Sequence, residues 1–87
     1  MRIDRFLFFA RLAKSRTLAQ SIIAQGYVRI DGRRVAKPSE EVRAGQIVAL
    51  PLHGEVRVIW VLALPIRRGP PAEARGAYEI IEEPMPA

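Results

Sequence analysis

Two groups of cations stand where the chain changes direction, and they are the residues most able to do chemistry. The first is Lys14-Ser15-Arg16, at the predicted start of a helix. A helix N-terminus carries partial positive charge and unpaired N–H groups, so cations there are locally unfavourable by a few tenths of a kcal/mol. The placement makes physical sense if an anion is to be held, with backbone donors and charged side chains converging on it. A phosphodiester fits that description, and so does the plainer alternative of two solvated cations. The second group is Arg29, Arg33, Arg34 and Lys37, around Asp31-Gly32. Asp-Gly between two alternating runs is a hairpin signal, and a hairpin tip exposes its side chains. Of the 14 cations only Lys14 and Lys37 are lysine. Arginine contacts phosphate through two parallel hydrogen bonds and stacks on bases.

Other chemistry is poorly supplied. The chain has no cysteine and one histidine, His53, which excludes disulfides, thiolate metal sites and a cysteine nucleophile. Glu40-Glu41 and Glu82-Glu83 are sequence neighbours whose side chains diverge, so neither pair makes an acid/base couple. No phosphate-cradling glycine loop or metal-ligand spacing is present. The sequence therefore predicts a protein that is not an enzyme and needs no cofactor. His53, beside Gly54 in a turn, reads as a surface residue, and Trp60, within a strand, reads as core.

The elements that must position these groups follow from periodicity. Ile3, Phe6, Leu7 and Ala10 form one helical stripe, predicting a helix over 2–13 with Arg5 and Arg11 off the stripe. Asp4 can cap or complement its first turn. Of Phe8 and Phe9, one is expected at the core edge and the other against the later half of the chain, with base stacking as an alternative. Ser15 is a good N-cap for a second helix, Arg16 to Gln25, with Leu18, Ala19, Ile22 and Ile23 apolar and Arg16 and Gln20 sharing the polar face. Gly26 sits where a left-handed helix end belongs. Strands are predicted at 27–30 and 33–36, joined by a type I′ turn, and at 47–50 and 56–62, paired across His53-Gly54. After Leu64, Pro65, Gly69, Pro70, Pro71, Gly76, Pro84 and Pro86 punctuate the chain. Residues 65–87 therefore read as a tail, loosely packed or partly disordered, with a helical turn around Ala72 to Tyr78.

Length and charge set the bounds. With 87 residues the chain is one small domain, expected at 1–64. Net charge is +5, and the excess lies wholly within residues 1–50. Such an excess marks a surface that meets nucleic acid or anionic lipid, or it serves solubility. No apolar run approaches the length that spans a bilayer, and Arg2, Asp4 and Arg5 crowd the start, so no signal peptide is expected and the location is read as cytoplasmic.

The order helix, Lys-Ser-Arg, helix, Gly, strand, Asp-Gly, strand, Pro-Ser, Val-x-x-Gly, strand resembles the RNA-binding domain first described in small-subunit ribosomal protein S-four, the αL motif. Its matching segments run from Arg2-Ile3-Asp4-Arg5-Phe6-Leu7 to Val42-Arg43-Ala44-Gly45-Gln46-Ile47, about residues 2–50. Leu62-Ala63-Leu64, Arg67-Arg68-Gly69-Pro70-Pro71-Ala72-Glu73-Ala74 and Tyr78-Glu79 further resemble the fifteen-kilodalton heat-shock protein family. Its members associate with the large ribosomal subunit and are linked to rescue of free large subunits that still carry a nascent chain. They continue into a long basic extension, where this sequence has an acidic Glu79 to Glu83 stretch. Their hairpin is Asn-Gly, so Asp31 brings a negative charge to the tip.

The resemblance implies an α+β fold, two N-terminal helices packed on a small, mostly antiparallel sheet of four to five strands. It implies binding of structured RNA, above all ribosomal RNA of the large subunit, in a stress-related role. The corresponding RNA face is Arg2, Arg5, Lys14, Ser15, Arg16, Gln20, Arg33, Arg34 and Lys37, with Arg11 added as a further exposed cation. Recognition would be by shape and phosphate, with DNA bound only non-specifically. Two rivals remain: a basic protein-interaction module, and an accessory subunit of an RNA-modifying enzyme.

Overall fold

The computed structural model describes residues 1–81. Helix α1 spans Ile3–Phe9, α2 Arg16–Ala24 and α3 Pro71–Ala74. Strands β1 (Arg29–Ile30), β2 (Arg33–Arg34), β3 (Ile47–Leu52), β4 (Glu55–Val61) and β5 (Tyr78–Ile80) form one antiparallel sheet in the order β2-β1-β3-β4-β5. The expected α+β class holds, with the sheet wholly antiparallel.

The apolar stripe of α1 does what its spacing implies. Ile3, Phe6 and Leu7 are fully buried, in one cluster with Ile23 of α2 and Ile30, Val48, Leu50, Ile59 and Val61 of the sheet. α1 ends earlier than its stripe suggests. Arg11 takes a left-handed conformation (φ 60°), and the amides of Arg11 and Leu12 turn back to the carbonyls of Phe8 and Leu7. This is a Schellman ending with arginine where glycine is usual. Leu12 and Ala13, off the helix, still reach the core. α2 closes the same way through Gly26 (φ 84°), as its sequence indicates. Leu18 departs from expectation: it is exposed, because α2 buries only a narrow stripe on Ala19 and Ile23.

Asp31 and Gly32 both have positive φ, giving the type I′ turn. The first two strands are shorter than predicted, although Val35 N–H still bonds Val28 O beyond the regular ladder. His53 and Gly54 repeat the same turn geometry between β3 and β4. An edge pairing was not foreseen: Ile3 N–H donates to Glu40 O and Val42 N–H to Met1 O, so residues 40–42 run beside the N-terminus.

Trp60 corrects the sequence reading. It pairs with Ile47 on the face of the sheet opposite the core and is 46% exposed. Period-2 alternation explains this, since Ile59 and Val61 take the inward positions. The segment after Leu64 contributes α3, a single 3-10 turn at Arg75–Ala77 and the fifth strand, with Ala74 and Ala77 buried. Arg68 fastens it to α1 by donating from Nε to Phe8 O, with its guanidinium 4.6 Å from the Phe8 ring centre. Phe8 is thus the phenylalanine that packs on the later half. Glu82-Glu83, Pro84 and Pro86 lie outside the described residues. Among those described, no helix is long and apolar enough to cross a membrane, and no group of side chains has the make-up of a metal site.

Candidate nucleic-acid interface

The centre of the basic face is an acid. Asp4 sits in the first turn of α1 with its side chain 0% exposed, and five donor groups from four residues meet it. Arg2 Nε and Nη2 each lie 3.1 Å from one of its oxygens. Arg16 Nη2 is at 3.3 Å, Gln20 Nε2 at 3.0 Å and the Arg5 amide at 2.7 Å. Arg16 and Gln20 reach it together because residues four apart share one helix face. The carboxylate therefore complements the first turn of α1, as expected, and is also a clasp between the two helix starts.

This answers part of the puzzle posed by cations at a helix N-terminus. Arg16 already holds an anion, and that anion belongs to the chain. Arg2 and Arg16 remain 43% and 40% exposed, so each keeps donor capacity facing water. Arg16 Nε, in contrast, is buried and has no partner among the described residues. Ser15 caps α2 as predicted, its Oγ accepting from Leu18 N–H at 3.0 Å.

Burial alone would raise the pKa of Asp4. The hydrogen bonds from Arg2, Gln20, Arg16 and the Arg5 amide outweigh it and bring the value from 3.8 to about 2. A depressed carboxylate stabilises the fold fully above its unfolded pKa and loses that contribution as pH falls through the folded value. Asp4 should thus supply roughly 2 kcal/mol at neutral pH that disappears between about pH 4 and pH 2. Urea midpoints measured across that window, against Asp4→Asn as the flat reference, check it.

The hairpin arm is held by a second acid. Glu40 Oε1 accepts from Arg33 Nη1 at 2.9 Å, while Oε2 accepts the amides of Ala36 and Lys37 at 2.6 and 3.2 Å. The Arg33 hydrogen bond and then the Ala36 amide hold its carboxyl below the usual range. Asp4 N–H donates to Pro38 O and Ile3 N–H to Glu40 O, so this arm abuts the start of α1. Lys37 and Arg33 are thereby brought toward Arg2, Arg5 and Arg16. The Asp31 carboxylate at the tip is turned toward β3, where it accepts Ile47 N–H at 2.9 Å and Gln46 Nε2 at 3.2 Å.

Arg34 lies over the end of α2. A Cβ added at Gly26 would fall 3.2 Å from its Nε and 3.3 Å from its Cζ. Gly26→Ala must therefore both strain a left-handed backbone and displace Arg34. A stability loss of about 1–2 kcal/mol is expected in thermal melts.

Of the cations expected on this face, Arg5, Lys14, Arg34 and Lys37 are exposed and make no ion pair among the described residues. Arg11 shares a hollow with Lys14 and makes no contact with the Asp4 or Glu40 carboxylates. It lies at the far end of α1, where Nε donates to Gly69 O at 2.6 Å. Asp4 and Glu40, which organise the face, were not foreseen. A carboxylate within a basic stretch was the available signal, but its partners come from several parts of the chain.

This framework of two capped helices and a clasped hairpin is that of a known class. The S4 domain model matches residues 1–48, more than half of the sequence, and the chain belongs to the S4 domain family. Small ribosomal subunit protein uS4 of Lacticaseibacillus casei is 43% identical over 49 residues, which are 56% of this chain and 24% of that protein. The likeness to Heat shock protein 15 is more extensive. The Escherichia coli protein is 35% identical over 79 residues, 91% of this chain and 59% of its own length. A structure of Vibrio cholerae Heat Shock Protein 15, described as trimeric, superposes with a TM-score of 0.87 at 30% identity, covering 93% of this chain and 81% of that one. The chain thus spans about three fifths of the Escherichia coli protein and a quarter of uS4.

Proposed function

We propose that this protein binds structured RNA without catalysing a reaction, and that its target is ribosomal RNA of the large subunit, in a stress-related role. The observation that carries the reading is the gathering of cations around Asp4 and Glu40. Two acids fix Arg2, Arg16 and Arg33 in place, and Arg5, Lys14, Arg34 and Lys37 add exposed charge from the same segments. Fixed guanidinium groups lose less freedom on binding, and mobile lysines add charge that adapts to the RNA backbone. Such a face suits phosphate and shape recognition rather than a base code. Similarity to a ribosomal protein and to Heat shock protein 15 supports the choice of RNA.

The test is binding to purified large and small ribosomal subunits, free tRNA and duplex DNA across a salt series. Four to six phosphate contacts predict a log–log salt slope of about −3 to −5. Preference for the large subunit supports the reading in full. Equal binding to every polyanion leaves only a generic basic surface.

A second reading, a protein-interaction module, draws on the uncovered outer face of the sheet, where Ile47, Ala49, Val58 and Trp60 lie side by side. It predicts a complex that survives nuclease treatment.

A further inference from the structure

Two adjoining hollows, of about 450 and 580 Å³, run past the C-terminal end of α1. They share Arg11, Leu12, Leu52 and His53. One opens toward Lys14, the other toward Arg75 and Tyr78. Together they make a groove between two turns, the left-handed ending of α1 and the type I′ turn joining β3 to β4.

Its chemistry is one-sided. The cations Arg11, Lys14 and Arg75 stand along it, His53 adds a polar ring, and no carboxylate among the described residues lines either hollow. Arg11 Nε is engaged with Gly69 O, and its terminal nitrogens have no partner among the described residues. Lys14 and Arg75 form no ion pair among those residues. The floor is apolar, Leu12 and Leu52, and half-buried Tyr78 supplies an aromatic wall. A row of cations over an apolar floor with one aromatic is the make-up of a single-strand site, where the backbone meets the charges and a base meets the ring. A lone strand with unstacked bases offers both backbone and ring faces to such a surface, which a duplex does not.

We infer that this groove binds a single-stranded RNA segment flanking the structured element held by the basic face. Lys14 belongs to both surfaces and joins them. The inference rests on the RNA-binding reading and extends it to residues beyond the αL motif, Leu52, His53, Arg75 and Tyr78.

The experiment uses a fluorescein-labelled RNA hairpin with a single-stranded flank of about eight uridines, and the same hairpin blunt. The wild-type chain binds the flanked hairpin about five- to tenfold more tightly. His53→Asn/Arg75→Gln removes that gain, leaves the blunt hairpin unchanged, and makes the salt slope on the flanked one shallower by about 1. Asparagine is chosen because it tolerates the positive φ of His53 (55°). A 4-thiouridine placed in the flank cross-links the wild-type protein at 52–53 or 75–78, a readout independent of the variant's folding. Equal affinity for both hairpins, an equal loss on both in the variant, or cross-links confined to other residues overturns the inference while leaving RNA binding intact. Failure of the wild-type chain to bind the blunt hairpin overturns the RNA-binding reading itself.

Discussion

Replacing Arg5, Lys14 and Lys37 together by alanine should weaken binding to ribosomal RNA about a hundredfold at about 0.15 M salt without loosening the fold. The size follows from counterion release. Each phosphate contact contributes roughly 0.7 to 0.9 of a decade per decade of salt, which at about 0.15 M is near 0.6 to 0.7 of a decade per contact. Three contacts give about two decades, and the salt slope should become shallower by about 2 to 3. These three residues are the right ones to remove because their side chains are exposed and outside the ion pairs of the described chain. The Lys37 amide that bonds Glu40 survives the change to alanine. Surface substitutions of this kind shift stability by about half a kcal/mol at most. Fluorescence anisotropy over a salt series, with a thermal melt of the same samples, checks both halves. Undiminished affinity in the triple variant would place the binding surface elsewhere.

Arg16 is a poor choice for that experiment, because it acts in stability as well as charge. The second large effect concerns its partner. Asp4→Ala should lower stability by about 2–4 kcal/mol, since it removes the one acceptor on which Arg2, Arg16 and Gln20 converge. The loss lies at the lower end for a buried ion pair because both arginines are partly exposed and water can serve them. For a domain of this size it corresponds to a fall in melting temperature of roughly 10–25 °C. Arg16→Ala should cost less, since Asp4 keeps Arg2 and Gln20. Asp4→Asn should fall between wild type and Asp4→Ala, and its deficit should shrink as pH is lowered through about 2, where the wild-type carboxyl also becomes neutral. A deficit that stays constant down to pH 2 would mean that shape, not charge, makes Asp4 matter. A double-mutant cycle on Asp4 and Arg16 isolates their coupling.

The parts of the fold legible in the sequence are those set by local rules. Ile3, Phe6, Leu7 and Ala10 repeat at helical spacing and are buried together. Ser15 and Gly26 bracket α2 because capping chemistry acts within a few residues. Asp31-Gly32 demands its turn. The order of these signals also carried the family resemblance. The end of α1 was not legible, because arginine gives no cue for the left-handed position that Arg11 occupies. Trp60 is hard to place from sequence because strand residues alternate between faces, and the seven-residue run Val56 to Leu62, apolar but for Arg57, hides which face is inward. In the candidate site the cations were visible as a set. The division between anchored and exposed ones was not, because Asp4 and Glu40 draw partners from separate segments that only the folded chain brings together.

The sheet order has a consequence for synthesis. The matched S4 segment stops at residue 48, inside β3, while Leu50, Ile59 and Val61 complete the cluster into which α1 is packed. What the family model delimits is thus a unit of inheritance and not a unit of folding. A nascent chain displays Arg2 to Lys37 before β4 has emerged to close the core beneath them. For that interval the basic segment emerges unfolded beside the ribosome that made it, already carrying the charges later arranged into a binding face.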